Sequence, residues 1–343
     1  MIPLINYDLN TRERLILKAT IEDYIETKVP ISSGYLKNKH NFGLSPATIR
    51  SALASLENKG LLSHPHTSSG RIPTDTGYRF FVDQLLDGAE SNRDEFHQIE
   101  QSLKRVSYNV DELMQAVAST LATASRMFGL VLVEHYQESL LKDIELVRLS
   151  SERVMLVLAM KSGFINSITL NLRVAVEQDV LESVTRVLKE RLIDLTLTEI
   201  QLTIKDRLRD TDIYRHEVIQ ILVKNPIQHF YIASDNIIYQ STLVPLLEQP
   251  EFQDASILQK TLTALEPSII SKYLITQLGD MGNFILIGSE NPNVNLEHCS
   301  LISSRFKSAD INGQLIVVGP TRIPYQNILN MLANFTEILP DVC

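Results

Sequence analysis

The stretch Ser45-Pro46-Ala47-Thr48-Ile49-Arg50-Ser51-Ala52-Leu53-Ala54-Ser55-Leu56-Glu57-Asn58-Lys59-Gly60 decides the fold of the amino-terminal part of the chain. Serine followed by proline is a strong signal for a helix start, because the first turn does not need the N–H that proline lacks. Gly60 is the residue type that commonly ends a helix. Ile49, Leu53 and Leu56 recur at helical spacing and predict one buried side.

The opposite side of this helix is small and polar. Its members are Ala47, Ser51, Ala54 and Asn58, with Thr48 and Arg50 at the margins. Such a side can approach base edges closely in a DNA major groove about 12 Å wide. An ordinary three-helix bundle with a solvated third helix is the alternative that the helices alone leave open.

Two helices are predicted before this one. Asn10 and Glu13 have the spacing of a capping box, and an apolar stripe at helical spacing follows them. After Val29-Pro30, Ser33 is a candidate cap for a second helix over residues 34–39. The third helix would therefore pack on two others.

Residues 61–74, which we call the wing segment, follow the third helix and are rich in proline, serine and glycine. This composition excludes a helix and indicates a β-wing. Its hydroxyls, imidazoles and single guanidinium suit phosphate oxygens and an adjacent minor groove. A zinc site at His64 and His66 is the alternative, but two histidines give too few ligands. Together these segments predict a winged helix-turn-helix.

Charge is distributed unevenly along the chain. The net charge is -9 over 343 residues, yet residues 32–79 hold six basic and two acidic side chains. Binding to a polyanion depends on such local fields rather than on the total. The locally basic stretch is the one that carries the predicted DNA-binding helix.

Composition excludes several other classes of protein. Uninterrupted apolar runs are shorter than the roughly 18 residues that a membrane span needs, and the amino terminus has no export leader, so we expect a cytoplasmic protein without a membrane partner. The cysteines, Cys299 and Cys343, lack zinc or redox spacing and are interpreted as inert thiols. No cofactor is expected.

The rest of the chain mixes helical and strand patterns. Residues 78–85 predict a helix, 87–95 a linker and 96–126 further helical structure. Short β-branched or apolar runs predict strands of an antiparallel sheet at 130–135, 143–149, 153–160, 164–170, 283–288, 299–306 and 314–319. Helices at 179–193 and 206–223, and strands near Phe230 and Ile237, are interpreted as an inserted unit.

Several segments resemble the bacterial heat-inducible transcription repressor HrcA family. They are S-P-A-T-I-R (45–50), L-E-N-K-G-L-L (56–62), P-H-T-S-S-G-R-I-P-T (65–74), G-Y-R-F-F-V-D (77–83), C-S-L-I (299–302) and G-P-T-R-I-P-Y (319–325). The resemblance implies a homodimeric repressor of chaperonin and DnaK-type operons that binds an inverted-repeat operator and is released on heat shock. It also implies the GroEL chaperonin as a partner.

The resemblance further implies an α+β multidomain fold, with a winged helix-turn-helix, a GAF-like antiparallel α+β domain and an inserted α+β dimerising domain. We therefore predict a DNA-binding domain over 1–87, a linker and connecting helix over 88–108, a GAF-like domain over 109–172 and 276–343, and the inserted domain over 173–275. Two linked DNA-binding domains would bury enough surface to select one operator.

The predicted DNA-binding residues come from the second helix, the third helix and the wing segment. They are Ser33, Tyr35, Lys37, Ser45, Ala47, Thr48, Arg50, Ser51, His64, His66, Thr67, Ser68, Ser69 and Arg71. Of these, Ser45, Thr48, Arg50, His66, Ser69 and Arg71 match the family's motifs. The segment Ser51-Ala52-Leu53 departs from the family's usual Asn-Asp-Met, which puts the contacts of that asparagine and aspartate in doubt.

Two other functions are weighed against a heat-shock repressor. The first is a metabolite-responsive winged-helix regulator whose GAF-like domain binds an effector, with Asp280, Glu290 and Arg322 as pocket residues. We interpret these three as turn residues and solvated charges. The second is an enzyme, which the lack of a coherent catalytic constellation opposes. Glu134-His135, for example, is interpreted as a strand end.

Overall fold

The computed structural model describes residues 8–65, 70–84, 93–107, 109–134, 139–230, 237–278, 281–308 and 311–342. Helices and antiparallel strands occur together throughout this part of the chain. The coarse α+β class predicted from the sequence is therefore confirmed.

The amino-terminal unit is mainly helical. Its elements are α1 (Thr11–Thr27), α2 (Ser33–Lys39), α3 (Pro46–Asn58), β1 (Leu62–Ser63), β2 (Ile72–Pro73) and α4 (Asp75–Gln84). Strands β1 and β2 pair antiparallel, with Leu62 opposite Pro73. The predicted capping box of Asn10 and Glu13 is confirmed, and so is the Ser45 cap of α3.

The predicted cap of α2 is wrong by one residue. Ser32, rather than Ser33, is the N-cap, and its Oγ accepts a hydrogen bond from the Tyr35 N–H at 3.1 Å. Ile31 pairs with Arg71 in an isolated β-bridge, which keeps the chain extended up to Ser32. An N-cap residue needs this extended backbone, so the helix begins at Ser33.

The remaining α-helices and β-strands occur in groups along the chain. They are α5 (Arg93–Lys104), α6 (Val110–Ser125), β3 (Phe128–Glu134), β4 (Leu141–Ser150), β5 (Arg153–Met160), β6 (Ile165–Asn171), α7 (Gln178–Leu192), α8 (Leu197–Leu208), α9 (Glu217–Lys224), α10 (Pro226–His229), β7 (Ile237–Gln240), α11 (Val244–Leu247), α12 (Ala255–Ala264), α13 (Pro267–Tyr273), β8 (Phe284–Ile287), β9 (Cys299–Ser308), β10 (Ile311–Pro320) and α14 (Tyr325–Val342).

The strands form two separate larger sheets. The five-stranded sheet has the order β7-β3-β10-β9-β8, and the three-stranded sheet has the order β4-β5-β6. The prediction that the strands between 141 and 171 share a sheet with those after 283 is therefore wrong. The chain leaves the large sheet after β3 and rejoins it at β7, and the small sheet lies between these two strands in the sequence.

The strands β4 to β6 form a separate sheet because the helices that follow them in the sequence cover the apolar face of this sheet. Leu156 and Leu158 of β5 are fully buried, and Leu181 and Val184 of α7 are buried in the same hydrophobic cluster. One apolar face of the small sheet is thus covered locally by the helices that follow it. A strand's alternation shows that it has a buried face, but not which sheet it joins.

The helix predicted over 206–223 is wrong in its extent. It is divided between α8, which ends at Leu208, and α9, which begins at Glu217. The strand predicted near Ile237 is β7, whereas residues 231–236, where the strand predicted near Phe230 would continue, lie outside the described residues. The predicted linker at 87–95 lies outside the described residues up to position 92, and its last part is wrong, because α5 begins at Arg93.

The amino-terminal unit is docked on the five-stranded sheet through α4. The ring of Tyr78 lies 5.8 Å from that of Tyr325 at the start of α14. Arg79 Nε donates to Glu290 Oε1 at 2.8 Å, and Asp75 Oδ2 accepts from the Ser289 N–H and hydroxyl, both at 2.9 Å. Polar and aromatic contacts therefore fix where α1 to α4 sit.

Candidate nucleic-acid interface

Helix α3 has one buried side and one open side. Ile49, Ala52, Leu53 and Leu56 are at most 7% exposed and pack against the other helices. Ala47, Arg50, Ser51 and Asn58 are exposed. No hydrogen bond or ion pair within the described part of the chain involves the Arg50 guanidinium, which leaves this cation available to a ligand.

Two of the predicted hydroxyl contacts meet at the beginning of α3. Ser45 Oγ accepts a hydrogen bond from the Thr48 N–H at 3.1 Å and lies 2.8 Å from Thr48 Oγ1. Ser45 is exposed and Thr48 half-buried. The pair therefore caps the helix while leaving the serine side open to solvent.

The margin of α3 that carries Thr48 faces the first turn of α1. A cavity of about 460 Å³ lies between them, lined by Asn10, Arg12, Glu13, Ala47, Thr48, Ser51, Ala52 and Ser55. Arg12 is exposed at its rim. The sequence reasoning missed this residue, although its place in the first turn of α1 is visible from the capping box.

Glu13 anchors α1 to the end of α3 below this cavity. Its carboxylate accepts hydrogen bonds from the Ser55 hydroxyl at 2.7 Å and from Lys59 Nζ at 2.9 Å. Burial raises the pKa of Glu13, but the hydrogen bonds from Ser55, Lys59 and the Asn10 N–H outweigh it, so that the pKa is lowered. The ionised carboxylate thus holds the two helices together.

The other margin of α3 faces the wing segment through a triangle of hydrogen bonds. Glu57 Oε2 lies 3.0 Å from Arg71 Nη2, Glu57 Oε1 lies 3.2 Å from His64 Nε2, and Arg71 Nη1 lies 3.1 Å from His64 Nδ1. Arginine can only donate, so the geometry requires Nδ1 to accept and the Nε2–H to donate to Glu57. Two predicted phosphate ligands are thereby joined to α3.

The backbone at Gly70 and Arg71 is fixed as well. Arg71 exchanges backbone hydrogen bonds with Ile31 at 2.8 and 2.9 Å. A Cβ on Gly70 would lie 2.5 Å from the Pro30 carbonyl oxygen, a distance that backbone atoms do not tolerate. We call His64, Gly70 and Arg71 the wing base, and it is attached to α3 and to the chain before α2.

Helix α2 contributes one open cation among the predicted residues. Lys37 is exposed, Ser33 is half-buried, and Tyr35 is half-buried with the Lys39 ammonium 5.8 Å from its ring centroid. Lys39 itself binds Asp23 at 2.8 Å and also Glu26. The hydrogen bond with Asp23, followed by that with Glu26, raises the pKa of Lys39.

The predicted residues thus divide into three groups. Ser45, Ala47, Thr48, Arg50 and Ser51 lie together on α3, the second group is on α2, and the third comprises His64 and Arg71 of the wing base. His66, Thr67, Ser68 and Ser69 lie outside the described residues. Glu57 was missed, although its position seven residues after Arg50 places it on the same margin of α3.

Glu290 and Arg322, two of the residues considered for an effector pocket, are each paired with another residue. Glu290 binds Arg79, whereas Arg322 is 4% exposed and pairs with Glu251 and Gln249. The interpretation of Glu290 and Arg322 as solvated charges is therefore wrong, because each is part of a packed ion pair. Asp280 lies outside the described residues.

The described residues also bear on metal binding, thiol reactivity and membrane insertion. No group of three or more histidine, cysteine, aspartate or glutamate side chains that could hold a metal ion occurs among the described residues. Burial raises the pKa of the Cys299 thiol to about 12, so it stays protonated. None of the helices described here is long and apolar enough to cross a bilayer.

Comparison with known proteins agrees with the resemblance seen in the motifs. Residues 111–329 match the family model of the HrcA protein C-terminal domain. A heat-inducible transcription repressor HrcA from Chlorobium chlorochromatii (strain CaD3) is 34% identical over 95% of this chain and 94% of its own length. The HrcA of Roseiflexus sp. (strain RS-1) is 32% identical over 98% and 94%.

A crystal structure of a hypothetical protein at 2.2 Å resolution aligns with 98% of this chain and 100% of its own, with a TM-score of 0.61 and 20% identity. That likeness concerns the fold alone. The sequence matches extend over nearly the full chain, and the family model covers most of the region beyond α5. The chain therefore belongs to the heat-inducible transcription repressor HrcA family.

Proposed function

We propose that this protein represses heat-shock operons of the chaperonin and DnaK type by binding an inverted-repeat operator as a homodimer. The exposed side of α3 enters the major groove, and the wing segment lies along the adjacent phosphates. Residues 8–84 thus act as a winged helix-turn-helix. Repression needs no catalysis, because occupying the operator is sufficient.

The observation that carries this proposal is the pairing of an open α3 surface with cations at its margins. Ala47 and Ser51 leave room for close approach to base edges. Arg50 is exposed on one margin and Arg12 near the other, while Lys37 is exposed on α2. Positive side chains on both sides of a small, polar helix surface suit the two phosphate strands that border a groove.

The inserted unit supports a homodimer. We assign to it β4 to β6 and α7 to α10, and the five-stranded sheet to the GAF-like domain. The outer face of β4 to β6 has Val147 opposite Met155, and Ile165 lies opposite Ala159. Val147 is 43% and Ile165 68% exposed, which is apolar surface that a second copy would cover.

The proposed response to temperature is carried over from the family resemblance. Heat would release the repressor from its operator, and GroEL would restore the binding-competent form when folding capacity is free. Dimerisation links this response to DNA binding, since one DNA-binding domain alone buries too little surface to select an operator. Losing the dimer contact would therefore release the DNA.

Selection from random duplexes tests the proposal. The full-length protein is incubated with random-sequence duplexes, and bound molecules are amplified and sequenced. We expect an inverted repeat whose half-sites are spaced by about 10 base pairs or a multiple of it. Failure to enrich any duplex sequence would contradict the proposal.

A second measurement addresses regulation. Occupancy of the selected operator is followed during heating, with and without GroEL. We expect occupancy to fall on heating and to recover on cooling more completely when GroEL and ATP are present. Occupancy that changes with neither temperature nor GroEL would remove the regulatory part of the proposal while leaving operator binding intact.

A further inference from the structure

The charge of Arg71 is directed onto α3 and away from solvent. Its side chain is 18% exposed and binds Glu57 through Nη2 and His64 through Nη1. Nε is buried and has no hydrogen-bond partner within the described chain. A guanidinium held in this way differs from the exposed one of Arg50.

We propose that Glu57 is a specificity-determining positioning residue, which keeps the Arg71 charge from the phosphate backbone and fixes the wing base against α3. This inference rests on the proposed function, since it concerns how operator and unrelated DNA are distinguished. Neither role requires Glu57 to touch a base. The carboxylate acts through Arg71 and His64.

The first role follows from charge. Each cation that neutralises a phosphate releases counterions and strengthens binding to any duplex, whatever its sequence. Arg71 is paired with a carboxylate 3.0 Å away, so a phosphate would have to displace Glu57 to gain this cation. Through this charge, Glu57 therefore lowers affinity for any duplex, so that binding depends more on the contacts that read the sequence.

The second role follows from geometry. Glu57 lies seven residues after Arg50, on the same margin of α3 and about 10 Å further along the helix axis. The triangle with His64 and Arg71 sets the wing base at a fixed distance from Arg50. The backbone contacts of Gly70 and Arg71 with the chain before α2 hold the other side.

A double-mutant cycle tests the proposal. We compare the parent with Glu57→Gln, Arg71→Gln and the double variant. Affinity is measured on the selected operator and on an unrelated duplex of equal length. Salt is varied from about 50 to about 200 mM, a range in which the number of phosphate contacts determines how steeply affinity falls. Glutamine keeps the size of glutamate but removes its charge. Urea unfolding of each variant checks that it folds.

Release of Arg71 in Glu57→Gln should add about one phosphate contact. We expect the slope of log affinity against log salt on the unrelated duplex to steepen by about 0.9. The wing base is no longer held at a fixed distance from Arg50 in this variant. The ratio of operator to unrelated affinity should therefore fall about tenfold, which is the effect of one mismatched base pair. The double variant should return to the parent's slope, because it has no cation to release.

Arg71→Gln should behave in the opposite way. It leaves the Glu57 carboxylate beside the phosphates without its partner, so binding to both duplexes should weaken without a steeper slope. The matched control is Glu26→Gln, which makes the same charge change at another ion pair on the amino-terminal unit. Lys39 keeps its contact with Asp23 in that variant.

The outcomes separate the two proposals. A folded Glu57→Gln variant with the parent's slope and affinity ratio, or the same changes in Glu26→Gln, would overturn the role of Glu57. A steep slope that persists in the double variant would also overturn it. A parent protein without any sequence preference would instead contradict the proposed function.

Discussion

Arg50 is the side chain on which base recognition is expected to depend most. It is exposed on the margin of α3 and has no internal partner among the described residues. Arg50→Ala should lower operator affinity by about 1 to 3 kcal/mol, measured by fluorescence anisotropy on the selected duplex. Arg105→Ala, which removes an exposed arginine just after α5, is the control and should leave affinity unchanged. Equal losses in both variants would argue against a specific contact.

Glu13 makes the folding of the amino-terminal unit dependent on pH. Its pKa in the folded protein is lowered from 4.5, so its stabilising contribution is present above pH 4.5 and is lost as pH falls through the lowered value. Glu13→Gln should lower the free energy of unfolding by about 2 kcal/mol at pH 7, because Ser55 and Lys59 lose an ionised partner.

Urea unfolding at pH 7 and pH 3 measures this effect. The difference between parent and Glu13→Gln should shrink at the lower pH, because the stabilising contribution of the carboxylate declines as pH falls below 4.5. Glu26→Gln serves as a comparison, since Glu26 is 70% exposed and should affect stability little. A loss of equal size at both pH values would show that Glu13 acts through its shape rather than its charge.

At the scale of elements, the three-stranded sheet is expected to form the dimer contact. Val147→Asp places a charge on its exposed face opposite Met155 and should shift the protein towards monomer at micromolar concentration. Sedimentation velocity measures the change. Val294→Asp is the control, because Val294 is 71% exposed but lies after β8, away from that sheet. A persistent dimer in Val147→Asp would move the contact elsewhere.

The sequence predicts single elements better than their partners. The run from Arg153 to Met160 is found as a strand with the predicted bounds, and Ser45-Pro46 starts α3 as expected. Both signals are local, because they depend on alternation and on the chemistry of a helix start. The sheet that β5 joins depends on its pairing with β4 and β6 and on α7, which no local pattern specifies.

In the candidate site, too, the sequence predicts local features but not tertiary contacts. The open side of α3 is readable from helical periodicity, since Ile49 and Ser51 necessarily point in different directions. The pairing of Glu57 with His64 and Arg71 depends on how the wing segment returns to α3, which is a tertiary contact. The sequence therefore indicates which residues of α3 are exposed, but not that the Arg71 charge is paired with Glu57.

For the whole molecule, the position of the amino-terminal unit depends on its ion pair with the five-stranded sheet. Arg79 and Glu290 have side chains 21% and 13% exposed, and Arg79 also donates to the Ile285 carbonyl oxygen. Arg79→Glu should lower the free energy of unfolding by about 3 kcal/mol, because it leaves a half-buried carboxylate without its partner.

The exchanged pair provides the control for this contact. Arg79→Glu combined with Glu290→Arg should recover part of the loss in urea unfolding, although the contact with Ile285 is not restored. Recovery would show that the pair acts across the junction between α4 and the end of β8. Additive losses in the double variant would contradict this, and would leave the Tyr78–Tyr325 packing as the main contact.

The central claim is that the exposed side of α3 lies in the major groove of each operator half-site. It is tested most directly by a Ser51→Cys variant in a Cys343→Ser background, with iron-EDTA attached to the introduced thiol as a DNA-cleaving probe. We expect cleavage of the selected operator at two symmetric positions, about one helical turn or a multiple of it apart. Cleavage that is absent, or spread evenly along the duplex, would contradict the account.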